Sequence, residues 1–465
     1  MNPLFGAPRH IHFVGIGGVG MSGIAEVLLT LGHRVSGSDI VESEATRRLA
    51  DLGAHISLGH QAAAVTADVD VVVMSSAARF ANPEVLRARE LRIPVIHRAE
   101  MLTELMRMKT GIAVAGTHGK TTTTSLIATV LHHAGFDPTA VIGGRLLAYG
   151  SNAQLGRSDL MVVEADESDG TFLMLTPTIA VVTNVEREHL DHYGNVEGMR
   201  LAFLDFINRV PFFGLGVVCI DDLALRGMLT QFRKPIVTYG TSADADYVVR
   251  DIRVAGMSTR MTVDHQGSEL VELTVPMPGR HQALNAVAAL AVARHLGATA
   301  EQVRAALAGF GGIHRRFEVC GEAGGALVVS DYAHHPTEIR ATIEAAREGF
   351  DRRLLVAFQP HRYSRLQDLF DEFLGAFDAA DRVYLTEVYA AGEAPLEGAT
   401  GAALHAALQR RGHLDVAFAA DDEALLAALA AEARPGDLVL VLGAGSIYRL
   451  APRLGRRGRR RRLGR

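Results

Sequence analysis

The sequence predicts a multidomain α/β protein with parallel, doubly wound sheets. Short apolar segments of strand length alternate along the chain with segments of helical period. Two of the turns from a strand into a helix are rich in glycine, at residues 15–20 and 116–119. At 465 residues the chain is too long for one hydrophobic core, so we expect two to four domains.

Composition excludes several functional classes. The formal net charge is -5 and the basic residues are not concentrated before the end of the chain, so nothing indicates nucleic acid. Two cysteines cannot form a disulfide framework and suit a reducing cytosol. No run reaches the roughly 18 apolar residues that a membrane helix needs, and the N-terminus does not have the pattern of a signal peptide. We expect a cytoplasmic protein without a membrane partner, either a monomer or a weak homo-oligomer.

The first glycine-rich turn follows a strand at His10 to Val14 and precedes a helix. Gly15, Gly17 and Gly20 form a GxGxxG fingerprint, and Asp39 lies about 20 positions further on, where a carboxylate can bond a ribose hydroxyl. The literal interpretation is a dinucleotide site. Because the geometry specifies only a diphosphate at a helix N-terminus, a UDP-sugar fits equally well.

Further apolar runs predict the strands of the remaining units. A helix is expected to begin at Pro83 after a capping residue, Asn82. A small meander is expected over residues 243–276, before an alanine-rich helix. The other predicted strands lie at residues 33–37, 69–74, 95–96, 112–115, 160–164, 179–183, 327–330, 354–358 and 438–442.

The second glycine-rich turn has the composition of a phosphate loop. It runs Gly116-Thr117-His118-Gly119 and is followed by Lys120. Free backbone N–H groups and the positive end of a helix favour an anion, and lysine adds a mobile cation. Thr121 or Thr122 offers a hydroxyl to a metal ion. The loop is shorter than GxxxxGK[ST], because Val114 stands where the first glycine belongs.

Candidate metal ligands follow two strands of the same predicted domain. One strand ends at Glu164, in an acidic cluster that extends to Asp169. A carboxylate beside phosphates is a suitable magnesium ligand, although a solvated acidic turn is the alternative. The next strand ends at Asn184, and His189 follows in a histidine-rich turn that could supply a second metal ligand. An ordinary hydrogen-bonded histidine is the alternative there.

The last part of the chain places aspartate, histidine and arginine after strands. One strand ends at Asp331 and is followed by His334, and a second is followed by Arg362 and Arg365. Arg315 lies in an RRF element before them. A planar guanidinium matches a carboxylate or a phosphate, while a surface arginine pair is the alternative for the RRF element. The arginine-rich tail, residues 456–465, is expected to be disordered and is given no function.

Three long stretches together resemble the Mur ligase family, most closely its alanine-adding branch. They are GIGGVGMSGIAEVL from residue 15, AGTHGKTTTT from residue 115, and SDYAHHPTEI with FQPHRYSR from residues 330 and 358. The family's own phosphate loop has the short GTxGKT form, which accounts for Val114. The resemblance implies three domains: a Rossmann-like UDP-sugar-binding domain at 1–109, a central P-loop ATPase-type α/β domain with a small meander at 110–312, and a Rossmann-like C-terminal domain at 313–455 that contacts the amino acid and ATP.

The resemblance also implies roles for individual residues. Gly116 to Thr122 would hold the ATP phosphates. Thr121 and Glu164 would hold one Mg²⁺, and His189 a second beside Glu164, with Asn184 in the same shell. The remaining ATP contacts would be Gln282, Asn285, Arg315 and Asp331, with Gln282 standing where the family more often has asparagine. The UDP-sugar would contact Gly15, Gly17, Gly18, Val19, Gly20, Met21, Ser22 and Asp39.

The implied reaction is ATP-dependent ligation of L-alanine to the lactyl carboxylate of UDP-N-acetylmuramate through an acyl phosphate, in peptidoglycan precursor synthesis. His334 would lie near the amino acid as a candidate base, and Arg362 and Arg365 would bind its carboxylate or stabilise phosphoryl charge. Three alternatives stay open: a recycling ligase that attaches a tripeptide, a nicotinamide oxidoreductase that uses the first fingerprint, and a P-loop ATPase module that uses the second.

Overall fold

The computed structural model of the chain describes residues 7–75, 78, 81–107, 109–146, 151–412 and 415–455. The predicted basic tail, 456–465, lies outside these residues. The chain forms two compact units. The first comprises the described residues up to Asp251, with Met261–Leu273 and Leu284–Gly311, and the second comprises Ile252–Arg260, Thr274–Ala283 and the described residues from Gly312 onward.

The first sheet confirms the doubly wound parallel fold predicted for the N-terminal part. Its strand order is β3-β2-β1-β4-β5, and each pair is parallel. The glycine-rich turn follows β1, at the point where the strand order reverses and ligands bind in such sheets. Its elements are β1 (His10–Val14), α1 (Val19–Thr30), β2 (Arg34–Asp39), α2 (Glu44–Asp51), β3 (His55–Leu58), β4 (Val71–Met74), α3 (Pro83–Glu90), β5 (Val95–His97) and α4 (Arg98–Met106).

The second sheet places the phosphate loop after a central, fully covered strand. Its order is β15-β14-β13-β12-β11-β10-β6-β9-β7-β8, so β6 lies between β10 and β9 and pairs with both in parallel. The predicted meander is present, and it continues this sheet through a parallel pairing of β12 with β13. The elements are β6 (Thr110–Ala115), α5 (Lys120–His133), β7 (Thr139–Leu146), β8 (Ser151–Gln154), β9 (Leu160–Glu164), β10 (Ile179–Val182), α6 (Leu190–Tyr193), α7 (Val196–Asn208), β11 (Leu215–Cys219), α8 (Leu223–Met228), β12 (Ile236–Gly240), β13 (Tyr247–Ala255), β14 (Ser258–His265), β15 (Ser268–Val275), α9 (Arg280–His295) and α10 (Ala300–Ala308).

The third sheet is parallel except at one edge. Its order is β16-β17-β21-β18-β19-β20, and only the β16–β17 pair is antiparallel. Apolar clusters cover both faces, as buried parallel strands require. The elements are β16 (Glu318–Ala323), β17 (Ala326–Asp331), α11 (Pro336–Gly349), β18 (Leu354–Phe358), α12 (Tyr363–Asp368), α13 (Phe370–Leu374), β19 (Arg382–Leu385), α14 (Gly401–Arg410), β20 (Asp415–Phe418), α15 (Asp422–Glu432) and β21 (Leu438–Leu442).

Local signals explain several helix starts. The side chain of Asn82 accepts a hydrogen bond from Glu84 N at 2.9 Å, as expected for the cap of α3. Pro336 occupies the first turn of α11, where its missing N–H costs nothing. Among the described residues, no helix is both long enough and apolar enough to cross a membrane.

A buried carboxylate ties the strands of the first sheet together. Glu84 is fully buried and accepts hydrogen bonds from Ser38 Oγ at 2.6 Å and Gln61 N at 3.0 Å, with His12 Nε2 at 3.4 Å. Burial alone raises the pKa of Glu84, but the hydrogen bonds from His12 and Ser38 outweigh it and leave the pKa below its ordinary value. The carboxylate is therefore charged, and each of its oxygens accepts a hydrogen bond.

We predict that Glu84→Ala destabilises the protein by about 2–4 kcal/mol, because it leaves buried donors without a partner. The measurement is urea unfolding followed by circular dichroism. Glu90→Ala on the same helix is the matched control: Glu90 is exposed and pairs with Arg87 at the surface, so its loss should cost less than about 0.5 kcal/mol. An equal loss of unfolding free energy in the two variants would contradict a stabilising role for the buried hydrogen bonds of Glu84.

Candidate active site

The phosphate loop is pressed against the end of strand β10. Gly116 has φ +133°, and a Cβ at this position would lie 2.0 Å from Thr183 Oγ1. Gly119 has φ +80°, and a Cβ there would lie 2.8 Å from Asn285 Oδ1. Both positions therefore need glycine for backbone conformation and for space.

Asn184 holds the loop from the side of β10. Its Oδ1 accepts from His118 N at 2.8 Å, and its Nδ2 donates to His118 O at 3.1 Å. Thr183 Oγ1 donates to the same carbonyl oxygen at 2.6 Å, and Thr117 N donates to Asn184 O at 3.1 Å. These hydrogen bonds show that Asn184 fixes the backbone of the loop. Its proximity to a bound metal ion stays a prediction.

The side chain of Lys120 folds back onto the phosphate loop. Its Nζ donates to the carbonyl oxygens of Gly116 at 2.6 Å and Thr117 at 3.0 Å, and to Glu167 Oε1 at 2.7 Å. Burial lowers the pKa of Lys120, but the adjacent Glu167 carboxylate outweighs it and holds the pKa above its ordinary value. The ammonium is therefore charged where the phosphates are expected.

The predicted hydroxyl–carboxylate pair is present beside this lysine. Thr121 Oγ1 donates to Glu164 Oε1 at 2.9 Å, and Gly143 N donates to Glu164 Oε2 at 2.6 Å. Neighbouring ligands of an octahedral Mg²⁺ lie about 3 Å apart. The Thr121 hydroxyl and the Glu164 carboxylate have this spacing and are both hard oxygen ligands, so the pair fits this ion. Thr122 is buried in the first turn of α5. His189 precedes α6 with φ +54°, and its role as a second metal ligand stays a prediction.

The two amides predicted near the adenine lie at the start of α9. Asn285 Oδ1 accepts from Thr123 Oγ1 at 3.1 Å, so this residue contacts the helix that follows the phosphate loop. Gln282 is buried, with its amide nitrogen 2.9 Å from His281 Nε2. Their contacts with a nucleotide base stay predictions.

The N-terminal glycine loop is held by its own acidic residue. Gly17 N donates to Asp39 Oδ2 at 2.8 Å, and Val41 N donates to Asp39 Oδ1 at 3.2 Å. A Cβ at Gly17 would lie 2.9 Å from Asp39 Oδ2, so the loop and the carboxylate are in direct contact. Asp39 shapes the loop in this structure, and its bond to a ribose stays a prediction. Gly18 precedes α1, which starts at Val19.

Contacts within the first unit join this loop to the ATP-binding part, and the sequence did not indicate them. Arg98 Nη2 lies 3.4 Å from Asp166 Oδ2, and a Cβ at Gly20 would lie 3.0 Å from Arg98 Nη1. Ser22 Oγ accepts from the Asn152 amide at 3.3 Å, and the adjacent Met21 side chain is buried. The one available signal was the position of Arg98, directly after strand β5.

In the second unit, Arg315 lies between two aromatic rings. Its guanidinium carbon lies 4.5 Å from the ring centre of Tyr332 and 4.2 Å from that of Tyr448, and its Nη2 donates to Gly443 O at 2.7 Å. Asp331 is buried and accepts from Phe317 N at 2.7 Å and from Ala333 N at 2.8 Å. Burial raises the pKa of Asp331 above its ordinary value. The aspartate thus fixes the turn that carries Arg315.

The other predicted residues of the second unit gather around His361. The rings of His334 and His361 are 5.8 Å apart, and Arg365 Nη1 lies 3.2 Å from His361 Nδ1. Arg362 Nε donates to Glu393 Oε1 at 2.5 Å, and His334 Nδ1 lies 3.1 Å from Tyr332 O. Burial, together with His334 and the arginines, lowers the pKa of His361 to about 3. His361, to which the sequence motifs assigned no role, is therefore held neutral.

These features define an α/β enzyme that uses a phosphate loop, with a second nucleotide-type loop joined to it in one unit. Family models described as "Mur ligase family, catalytic domain", "Mur ligase middle domain" and "Mur ligase, glutamate ligase domain" match residues 10–110, 114–293 and 315–445. The chain belongs to the Mur ligase family, whose members form amide bonds.

Individual relatives match nearly the whole chain. The UDP-N-acetylmuramate–L-alanine ligase of Anaeromyxobacter sp. (strain Fw109-5) is 56% identical over 96% of this chain and 97% of that protein. That of Geobacter sp. (strain M21) is 54% identical, with the same coverage. Among solved structures, the UDP-N-acetylmuramate–alanine ligase of Thermotoga maritima has a TM-score of 0.82 and 32% identity, over 97% of this chain and 99% of that one. A murein peptide ligase of Psychrobacter arcticus has a TM-score of 0.70 and 25% identity, over 96% and 98%.

We predict that Gly116→Ala abolishes nucleotide binding, because the new Cβ collides with Thr183 and displaces the loop. The measurement is ADP binding by calorimetry. Gly135→Ala is the matched control, since Gly135 also has a positive φ, +88°, but has open space where the Cβ would stand. Equal ADP binding by the Gly116 variant and wild type would contradict the close approach.

Proposed function

We propose that this chain ligates L-alanine to the lactyl carboxylate of UDP-N-acetylmuramate, with ATP converted to ADP and phosphate. The observation that carries the proposal is the presence of both loops in one compact unit, connected through Arg98 and Asp166. The names of the similar ligases indicate the two substrates. The product is UDP-N-acetylmuramoyl-L-alanine, a precursor of peptidoglycan.

In the first step, a lactyl carboxylate oxygen attacks the γ-phosphorus of ATP, giving an acyl phosphate and ADP. The loop N–H groups and Lys120 hold the phosphates and neutralise the charge that spreads over the transferred group. Thr121 and Glu164 would hold Mg²⁺, with His189 and Glu164 at a proposed second ion. Bound Mg²⁺ would supply further charge neutralisation.

In the second step, the alanine amine attacks the acyl carbon and phosphate leaves. The amine must be neutral, so a base is needed, and we propose His334 for this role. Arg362 and Arg365 would bind the alanine carboxylate or stabilise the phosphoryl charge. We further propose that ATP also contacts Arg315 and Asp331.

The wider organisation is proposed on the same basis. The domain boundaries would be 1–109, 110–312 and 313–455, with the acceptor nucleotide, ATP and the amino acid assigned to them in that order. The expected location is the cytoplasm, and the expected state is a monomer or a weak homo-oligomer.

We predict that phosphate release requires ATP, UDP-N-acetylmuramate and alanine together. Release is measured with the UDP-sugar and, in turn, alanine, serine, glycine and the tripeptide. Tripeptide-dependent release alone would identify a recycling ligase, and ATP hydrolysis independent of both substrates would identify an ATPase module. No alanine-dependent release would contradict the proposal.

We predict that Lys120→Ala lowers turnover by at least about 10²-fold, because it removes the cation from the developing phosphoryl charge. Binding of the UDP-sugar, measured by calorimetry, should stay unchanged, since Lys120 lies outside the N-terminal loop. Lys234→Ala is the matched control and should keep wild-type turnover. Loss of both turnover and UDP-sugar binding in the Lys120 variant would indicate misfolding instead.

A further inference from the structure

Glu167 is a buried carboxylate that the proposed reaction leaves without a role. It is 3% exposed, and its Oε1 lies 2.7 Å from Lys120 Nζ. Its Oε2 is buried and has no hydrogen-bond partner among the residues that the structure describes. Its backbone is fixed, because its carbonyl oxygen accepts from Tyr193 Oη at 2.5 Å and from Gly170 N at 3.0 Å.

The ammonium of Lys120 is saturated in this arrangement. A lysine has three N–H donors, and here they serve the carbonyl oxygens of Gly116 and Thr117 and the carboxylate of Glu167. No donor is left for a phosphate oxygen. A nucleotide therefore has to replace at least one of these three contacts.

Of the three contacts of Lys120, the one with Glu167 is the contact that bound phosphates would weaken most. Glu167 carries the same sign of charge as the phosphates, whereas the two carbonyl groups are neutral. In a buried site, like charges repel more strongly than they do in water. Burial raises the pKa of Glu167 to about 7, and the adjacent Lys120 ammonium favours the charged form of the carboxylate.

We infer that Glu167 is a positioning residue that holds Lys120 against the phosphate loop and competes with the nucleotide's phosphates for its ammonium. This inference rests on the proposed ATP-binding role of the loop. Such competition weakens the binding of ATP and ADP, and it favours release of ADP after the acyl phosphate has reacted.

The test uses the full chain with Glu167→Gln, which keeps a hydrogen-bond acceptor of nearly the same shape and removes the charge. Calorimetry with ADP should give a dissociation constant about tenfold lower than that of wild type, because the competing charge is gone. In steady-state assays KM for ATP should fall together with kcat, since the lysine is less restrained before binding and ADP leaves more slowly.

Asp169→Asn is the matched control. Asp169 belongs to the same acidic cluster, but its Oδ1 accepts from Thr171. The ADP affinity of Asp169→Asn should equal that of wild type. Glu167→Asp is the second variant, because it keeps the charge and withdraws the carboxylate from Nζ, and its ADP affinity should lie between those of wild type and Glu167→Gln.

Unchanged or weaker ADP binding by Glu167→Gln would overturn the inference. Unfolding of both Glu167 variants, seen by circular dichroism, would identify a purely structural pair and would overturn it as well. Failure of the proposed function looks different, since wild type would then bind ADP without alanine-dependent phosphate release. Loss of ADP binding by wild type itself would contradict the ATP-binding role of the loop.

Discussion

The phosphate loop can exist only because its backbone approaches the end of β10 more closely than any side chain would allow. Gly116 faces the Thr183 hydroxyl, and Asn184 bonds to both the N–H and the carbonyl of His118. The strand thereby fixes the loop before any nucleotide arrives, which reduces the ordering that binding would otherwise require. The hydroxyl of Thr121 and the carboxylate of Glu164 are aligned by the same scaffold, through helix α5 and strand β9.

Packing within the first unit also fixes the N-terminal glycine loop. Helix α1 packs on the β7–β8 hairpin, where Gly23 leaves room for Ala153 and Val141. Near the start of the same helix, Arg98 reaches from α4 past Gly20 to Asp166. The N-terminal glycine loop and the phosphate loop are thus connected by side-chain packing as well as by the chain itself.

Sequence predicted the parts of the fold that carry strong local signals. Apolar runs such as Leu354–Phe358 gave buried parallel strands, and Asn82 with Pro83 gave a helix start. The hairpin formed by β7 and β8 was missed, because Ser151–Gln154 is polar and β7 contains two glycines. It packs against α1, which is distant in sequence, and pairs with β9.

The site was predicted in a similarly uneven way. Motif residues with a fixed spacing, such as Lys120 and Thr121, were found because the strand–loop–helix context is local. The partner of the lysine was not, since an acidic cluster does not reveal which carboxylate turns inward. His361 was missed for the same reason: its low pKa results mainly from burial and from His334, which only the folded chain brings close to it.

Asp166 and Glu167 are neighbours in sequence, yet they engage cations at the starts of different helices, Arg98 of α4 and Lys120 of α5. Arg98 and Lys120 are consequently tethered to a single short peptide, so one small molecule could address both. A compound with two anionic groups would displace both carboxylates, and its second contact would form intramolecularly, at a high effective concentration. Bivalent inhibitors that reach both Arg98 and Lys120 are therefore a natural design for this protein.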